Sequence, residues 1–329
     1  MPNNIKGKEV VNRVWLIGAG GMAQDYIKVL MGLKRNVIVI GRGEESAKEC
    51  EKSMQCSVLS GGLSNFLQTS PDIATHAIVA VGVEKLYEST KELLEYGVSN
   101  ILVEKPGAMT QKEFNHLSSI AKEKNANVII AYNRRFFAST LTARKLIEED
   151  GGVTSFNFEF TEWAHVIEPL QKAEGVKEKW FLANSTHVVD MAFYLGGKPK
   201  DIICFTSGGV DWHPSASNFS GAGMSENGAL FNYAANWKSA GRWSVEILTD
   251  KHRYIFRPME KLQIQKRGEI AQVFDESIDY SLDEEYKPGL YLQTENFLKN
   301  EFDGMCTIDE QKKLLSTYNK IANYKEENK

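Results

Sequence analysis

The chain has 329 residues, 42% of them hydrophobic and 25% charged, with a formal net charge of −4. That length exceeds one typical core and predicts two domains of soluble, globular composition. The slight acidic excess gives no electrostatic case for nucleic acid, and no apolar run is long enough to span a membrane.

The first residues, Met1-Pro2-Asn3-Asn4-Ile5-Lys6, lack the apolar core of a signal peptide. Over residues 1–132, short apolar runs at 14–17, 37–40, 57–59, 77–81, 101–103 and 128–131 alternate with helical patterns. Several runs are continuously apolar, the mark of strands buried on both faces of a parallel sheet. A helix is predicted over 84–96, with Leu86, Thr90, Leu93 and Leu94 on one stripe and Gly97 ending it. Thr110-Gln111-Lys112-Glu113 reads as a capping box ahead of Phe114, Leu117 and Ala121. This alternation predicts a doubly wound α/β dinucleotide-binding domain over 1–132.

Residues 134–149 read as a connecting helix ended by Gly151-Gly152. Strands at 153–160, 201–205, 230–233, 244–249 and 253–256 follow, with helices over 185–195, 288–302 and 308–323. They predict an α+β domain over 133–329 with an open-faced, mainly antiparallel sheet, its last helix able to pack back on the first domain. Residues 211–227, rich in Gly, Ser and Asn, read as a loop. The four cysteines, Cys50, Cys56, Cys204 and Cys306, fit neither a disulfide framework nor a zinc site. Reduced thiols and a cytoplasmic location are expected, and no His/Cys/carboxylate grouping points to a metal.

Gly18-x-Gly20-x-x-Ala23 sits between a predicted strand and helix in the first βαβ unit. Gly18 permits a tight turn, Gly20 lets the backbone approach a pyrophosphate, and Ala23 lets helix and sheet pack closely. Gly21 and Met22 complete the turn, whose helix supplies amide donors. Where a NAD site offers a carboxylate to the ribose, this chain has Gly41, then Arg42, with Ser46 nearby. A guanidinium pairs with a 2′-phosphate that a carboxylate would repel, which favours NADP(H) over NAD(H); the alternative is a solvated arginine beside a NAD site. Glu104-Lys105-Pro106 ends the fifth apolar run, at the cofactor edge of such a sheet. Burial beside an oxidised nicotinamide would lower the pKa of Lys105 enough for it to take a hydroxyl proton; taken alone, it reads sooner as a surface lysine in a strand-ending turn.

The glycine turn, Glu104-Lys105-Pro106, and His187-Val188-Val189-Asp190 followed by Leu195-Gly196-Gly197 together resemble the Gfo/Idh/MocA family, named for glucose-fructose oxidoreductase and inositol dehydrogenase. The resemblance covers nearly the whole chain. It implies an NAD(P)-dependent dehydrogenase or reductase acting on CH–OH groups of sugars, inositols or nucleotide sugars, with a place in surface-polysaccharide synthesis as one expectation. It also implies a Rossmann domain followed by a substrate domain whose sheet pairs homodimers or homotetramers. Lys105 becomes the acid/base and His187 its partner, capped by Asn184 or Ser185 at a helix N-terminus that favours a neutral ring. Ala80 and Val81 replace a common Thr-Pro element and would contact cofactor through their backbone, alongside Glu104 and Asn133. Arg134 and Arg135 either meet an anionic group such as a diphosphate or form salt bridges, and Trp163 either stacks on a sugar or base or packs as a core or interface tryptophan. Ala183 stands where many members carry an aspartate, so Asn184 either substitutes in part or leaves Lys105 and His187 to act alone. The rival readings are a non-catalytic NAD(P)-binding sensor, which Ala183 favours, and a methyltransferase, in which the Glu-Lys-Pro element has no role.

Overall fold

The computed structural model describes residues 10–325, so the segment read for a leader, Met1 to Lys6, lies outside the described residues. In chain order the elements are β1 (Val10–Ile17), α1 (Gly21–Gly32), β2 (Val37–Ile40), α2 (Glu44–Met54), β3 (Val58–Leu59), α3 (Gly62–Gln68) and β4 (Ile73–Val79). Next come α4 (Leu86–Tyr96), β5 (Asn100–Glu104), α5 (Gln111–Glu123), β6 (Asn127–Ala131), α6 (Ala138–Glu149), β7 (Ser155–Glu159) and α7 (Ala164–Ile167). A π-helical turn, Phe181–Ser185, leads into α8 (Thr186–Gly196). The strands β8 (Pro199–Ser207), β9 (Asn218–Ser225), β10 (Leu230–Asn236), β11 (Ser244–Leu248), β12 (His252–Phe256), β13 (Gln263–Lys266) and β14 (Val273–Phe274) follow. The chain ends with α9 (Ser281–Glu285), α10 (Leu290–Lys299), β15 (Cys306–Thr307) and α11 (Ile308–Ala322).

The chain forms two compact units. The first runs to Ala131 and includes Leu290–Lys312; the second comprises Tyr132–Gly289 and the chain from Lys313. In the first unit a seven-stranded sheet has the order β15-β6-β5-β4-β1-β2-β3. It is parallel apart from β15, which runs antiparallel to β6. Its strands are apolar because both faces are covered: Trp15, Leu16, Ala77, Ile78, Ile101 and Leu102 are fully buried. The capping box of α5 is formed, with Glu113 N donating to Thr110 Oγ1 at 3.2 Å and Thr110 N to Glu113 Oε2 at 3.0 Å. Residues 290–312, which a division after residue 132 leaves in the second domain, join the first unit. Thr307 and Cys306 extend the sheet beside Ile129 and Ile130, and α10 packs on α1.

In the second unit an eight-stranded sheet has the order β14-β13-β12-β11-β7-β10-β9-β8, parallel only between β10 and β7. Its inner face carries Phe156, Phe158, Phe231 and Tyr233, and Phe193 of α8 packs edge-on against the three phenylalanines. Each such ring removed from water contributes roughly 1.5–3 kcal/mol. The expected loop at 211–227 is overturned in its second half, which is β9. Its glycines are what the packing requires: a Cβ at Gly221 or Gly223 would lie 2.5 Å from the ring of Tyr233 or Phe231. The same glycines lower strand propensity, which is why the sequence alone reads as a loop.

Candidate active site

In the first unit, the glycine turn leaves β1 at Gly18, whose φ is 127°. A Cβ there would collide with the Ala80 carbonyl, because Gly18 N bonds Ile40 O and Ala80 N bonds Ile17 O, both at 2.8 Å. Glycine is thus required by the convergence of the β1 and β4 ends, in addition to any ligand. Gly20 is the extended N-cap of α1 and offers no side-chain cap, and the first turn holds no acidic residue. A Cβ at Gly20 or Gly21 would meet nothing within 4 Å. Open space at an uncapped helix N-terminus fits a pyrophosphate. Ala23 is fully buried against the sheet and Met22 half-buried.

At the end of β2, a Cβ on Gly41 would press on Ala19 and Val58, each at 3.2 Å, a tight contact that disfavours a larger side chain at this position. Arg42 is exposed and forms no ion pair among the described residues. Ser46 Oγ donates to Gly43 O at 3.1 Å in the first turn of α2, which also holds Glu44 and Glu45. Ala80 is buried and Val81 half-buried.

Glu104 at the end of β5 accepts a hydrogen bond from Tyr26 OH at 2.9 Å, tying the strand end to α1. Burial and the neighbouring carboxylate hold the Tyr26 hydroxyl well above its ordinary pKa, so it stays a donor. Glu104 is engaged there with the protein itself. Lys105 follows, joined to Pro106 by a cis peptide, and is half-buried rather than buried as expected, since it lies in the turn beyond the strand.

In the second unit, Asn133 is buried and donates to Pro288 O at 2.8 Å. Arg135 Nε and Nη2 donate to the two Asp190 carboxylate oxygens at 2.8 and 2.6 Å, with the side chains 3% and 0% exposed. A buried two-point pair of this kind is committed, which removes Arg135 from the expected substrate contacts. Arg134 is half-buried, its guanidinium 4.9 Å from the Trp243 ring.

His187 is buried, with Tyr132 and Trp243 centred 6.0 and 6.4 Å from its ring. The expected helix start beside it is not there. Helical chain runs from Trp180 through the π-helical turn into α8, and neither Asn184 nor Ser185 caps it. Both side chains turn instead to Glu162: Asn184 Nδ2 and Ser185 Oγ donate to its Oε1 at 2.9 and 2.7 Å. Arg242 approaches the other Glu162 oxygen at 3.8 Å and stacks over Trp163 and Trp243 at 4.8 and 4.6 Å. Trp163 is 44% exposed and donates from Nε1 to Gly241 O at 2.8 Å.

Glu162, Arg242 and Trp243 were not singled out by the sequence. Glu162 had a signal: it continues the period-2 inward row Phe156, Phe158, Phe160 with a charge. Arg242 and Trp243 follow a glycine in a segment with no distinguishing pattern.

Residues 12–132 match the model of an oxidoreductase family with an NAD-binding Rossmann fold, GFO_IDH_MocA. Among curated proteins the chain is 31% identical over 136 residues to the Escherichia coli oxidoreductase YhhX, covering 40% of this chain and 38% of that protein. It is 25% identical over 119 residues to scyllo-inositol 2-dehydrogenase (NADP(+)) IolW of Bacillus subtilis, covering 35% and 33%. The chain thus matches about a third of each relative's length. Among solved structures it is similar to a levoglucosan dehydrogenase in complex with NADH and levoglucosan, with 19% identity, a TM-score of 0.76, and 96% and 97% of the two chains covered. UDP-N-acetylglucosamine 3-dehydrogenase from Acidithiobacillus ferrooxidans gives 16%, 0.74, and 95% and 97%. At these identities the likeness shows the fold: a Rossmann unit with a second, mainly antiparallel sheet. Residues 12–132 are thus similar to the Gfo/Idh/MocA oxidoreductase family, whose model describes an NAD-binding Rossmann fold.

Proposed function

We propose that the protein is an NAD(P)-dependent oxidoreductase that interconverts a CH–OH group of a sugar, inositol or nucleotide sugar with its carbonyl. The observation that carries this reading is the open, uncapped turn at Gly20 and Gly21 in the same sheet unit as Lys105, which directly follows β5. The bound nicotinamide supplies the hydride acceptor or donor. Lys105 exchanges the proton of the reacting hydroxyl, and the backbone of Gly18 to Ala23, Ala80 and Val81 cradles the cofactor, with Asn133 beside it. His187 and Asn184 hold the substrate hydroxyl, and Arg134 and Trp163 line its remainder, Arg134 towards an anionic group where the sugar carries one. Arg42, with Ser46, gives the preference for NADP(H), since Gly41 supplies no carboxylate to repel a 2′-phosphate.

The activities for which the inositol, levoglucosan and UDP-sugar dehydrogenases above are named support the substrate class. Unbridged thiols at all four cysteines accord with a cytoplasmic setting. A second copy of the chain would cover Ile203, Phe205 and Leu230, which are 67%, 68% and 63% exposed on the outer side of the second sheet.

The test is cofactor reduction, followed with NAD+ and NADP+ against inositols, free hexoses and UDP- and GDP-sugars. The proposal expects turnover with at least one class and a higher kcat/KM with NADP+. Cofactor binding without turnover on any class would favour the non-catalytic sensor that Ala183 permits.

A further inference from the structure

The buried carboxylate of Glu162 has no part in the reading above. It is 2% exposed at the end of the row Phe156, Phe158, Phe160, where packing alone would place another apolar side chain. A buried carboxylate is unfavourable unless its oxygens are satisfied, and here they are: Asn184 and Ser185 donate to one, and Arg242 faces the other. Asn184 and Ser185 close the π-helical turn, a local widening of the helix that recurs at functional sites.

The chemistry of the pair sets the orientation of the amide. An ionised carboxylate only accepts hydrogen bonds, so Asn184 must present its NH2 to Glu162 and keep Oδ1 as its own acceptor. Asn184 is half-buried and lies three residues before His187 in the sequence.

We infer that Glu162 is a positioning residue: it locks the Asn184 amide so that Oδ1 accepts from the substrate hydroxyl that His187 also holds. This rests on the reading of Asn184 and His187 as substrate contacts. With glutamine at position 162 the Asn184 amide can turn over, because a side-chain amide both donates and accepts.

Glu162→Gln is measured against the wild type on the best substrate among inositols, free hexoses and UDP-sugars. The expected result is a fall in kcat of about 10- to 100-fold, the size of one hydrogen bond lost from a charged group. The dissociation constant for NADP+ and the melting temperature stay unchanged. A second variant, Asn184→Asp, sets two carboxylates together that must share a proton. Its kcat/KM should gain an acid-side ionisation absent from the wild type, which a purely structural Glu162 would not produce. An active wild type with unchanged kcat in Glu162→Gln, or a wild-type pH profile in Asn184→Asp should Glu162→Gln not fold, overturns this inference alone. A wild type inert on the whole panel overturns the underlying reading and this inference with it.

Discussion

Two guanidinium groups at anticipated binding positions show why residue type alone does not give a role. Arg135 is buried and held at both ends of its fork by Asp190, whereas Arg42 stands exposed on the turn after β2 with no ion pair among the described residues. In the proposed function cofactor choice turns on Arg42, and Glu44 and Glu45 at the start of α2 are the charges it must outweigh. Arg42→Ala should weaken NADP+ by roughly tenfold or more while leaving NAD+ nearly unchanged, as expected from loss of a charge-assisted contact. Calorimetric titration with both cofactors checks this; equal effects on the two would contradict it. The places of Gly18 and Gly20 in the turn after β1, and of Lys105 just after β5, were legible because turn chemistry and strand ends leave local marks. The commitment of Arg135 was not, because its partner lies 55 residues away and no local pattern pairs them.

At the scale of elements, the six parallel strands of the first sheet were each located, because burial on both faces writes itself as unbroken apolar runs, but the first four residues of β1 and of β4 lay outside those runs. The strand β9 was hidden by its own glycines, and the π-helical turn before α8 has no compositional signature, so His187 was set at a helix start that does not exist. The C-terminus of α6 shows a similar long-range device. There Asp150 accepts from Thr249, Tyr254 and His252 at 2.8, 2.7 and 2.8 Å, fastening the helix to the β11–β12 hairpin. Burial pushes this carboxyl up, but the hydrogen bonds from Tyr254, His252 and Thr249 outweigh it and hold the group below its ordinary 3.8. A depressed carboxyl gives stability that is full above the unfolded value and is lost as pH falls through the folded one. Urea unfolding of Asp150→Asn should show a loss of about 2 kcal/mol at neutral pH and a flatter decline below about pH 4. An acid limb identical to that of the wild type would contradict the assignment.

For the whole molecule, the order Rossmann unit then open-faced sheet followed from strand–helix alternation giving way to strand–strand succession. The return of residues 290–312 to the first unit did not, since a two-residue strand such as β15 carries no periodicity. The exposed apolar side chains of β8 and β10 lead to an association prediction. Sedimentation at micromolar concentration should give a dimer or tetramer, and Phe205→Glu should shift it towards monomer; a strictly monomeric wild type would contradict this. The central claim, however, is that the protein is a dehydrogenase whose proton passes through Lys105. Steady-state turnover of Lys105→Ala on the best sugar or inositol substrate tests it most directly. The account predicts a fall in kcat of about 10²- to 10⁴-fold with cofactor binding retained, and near-normal turnover would contradict it.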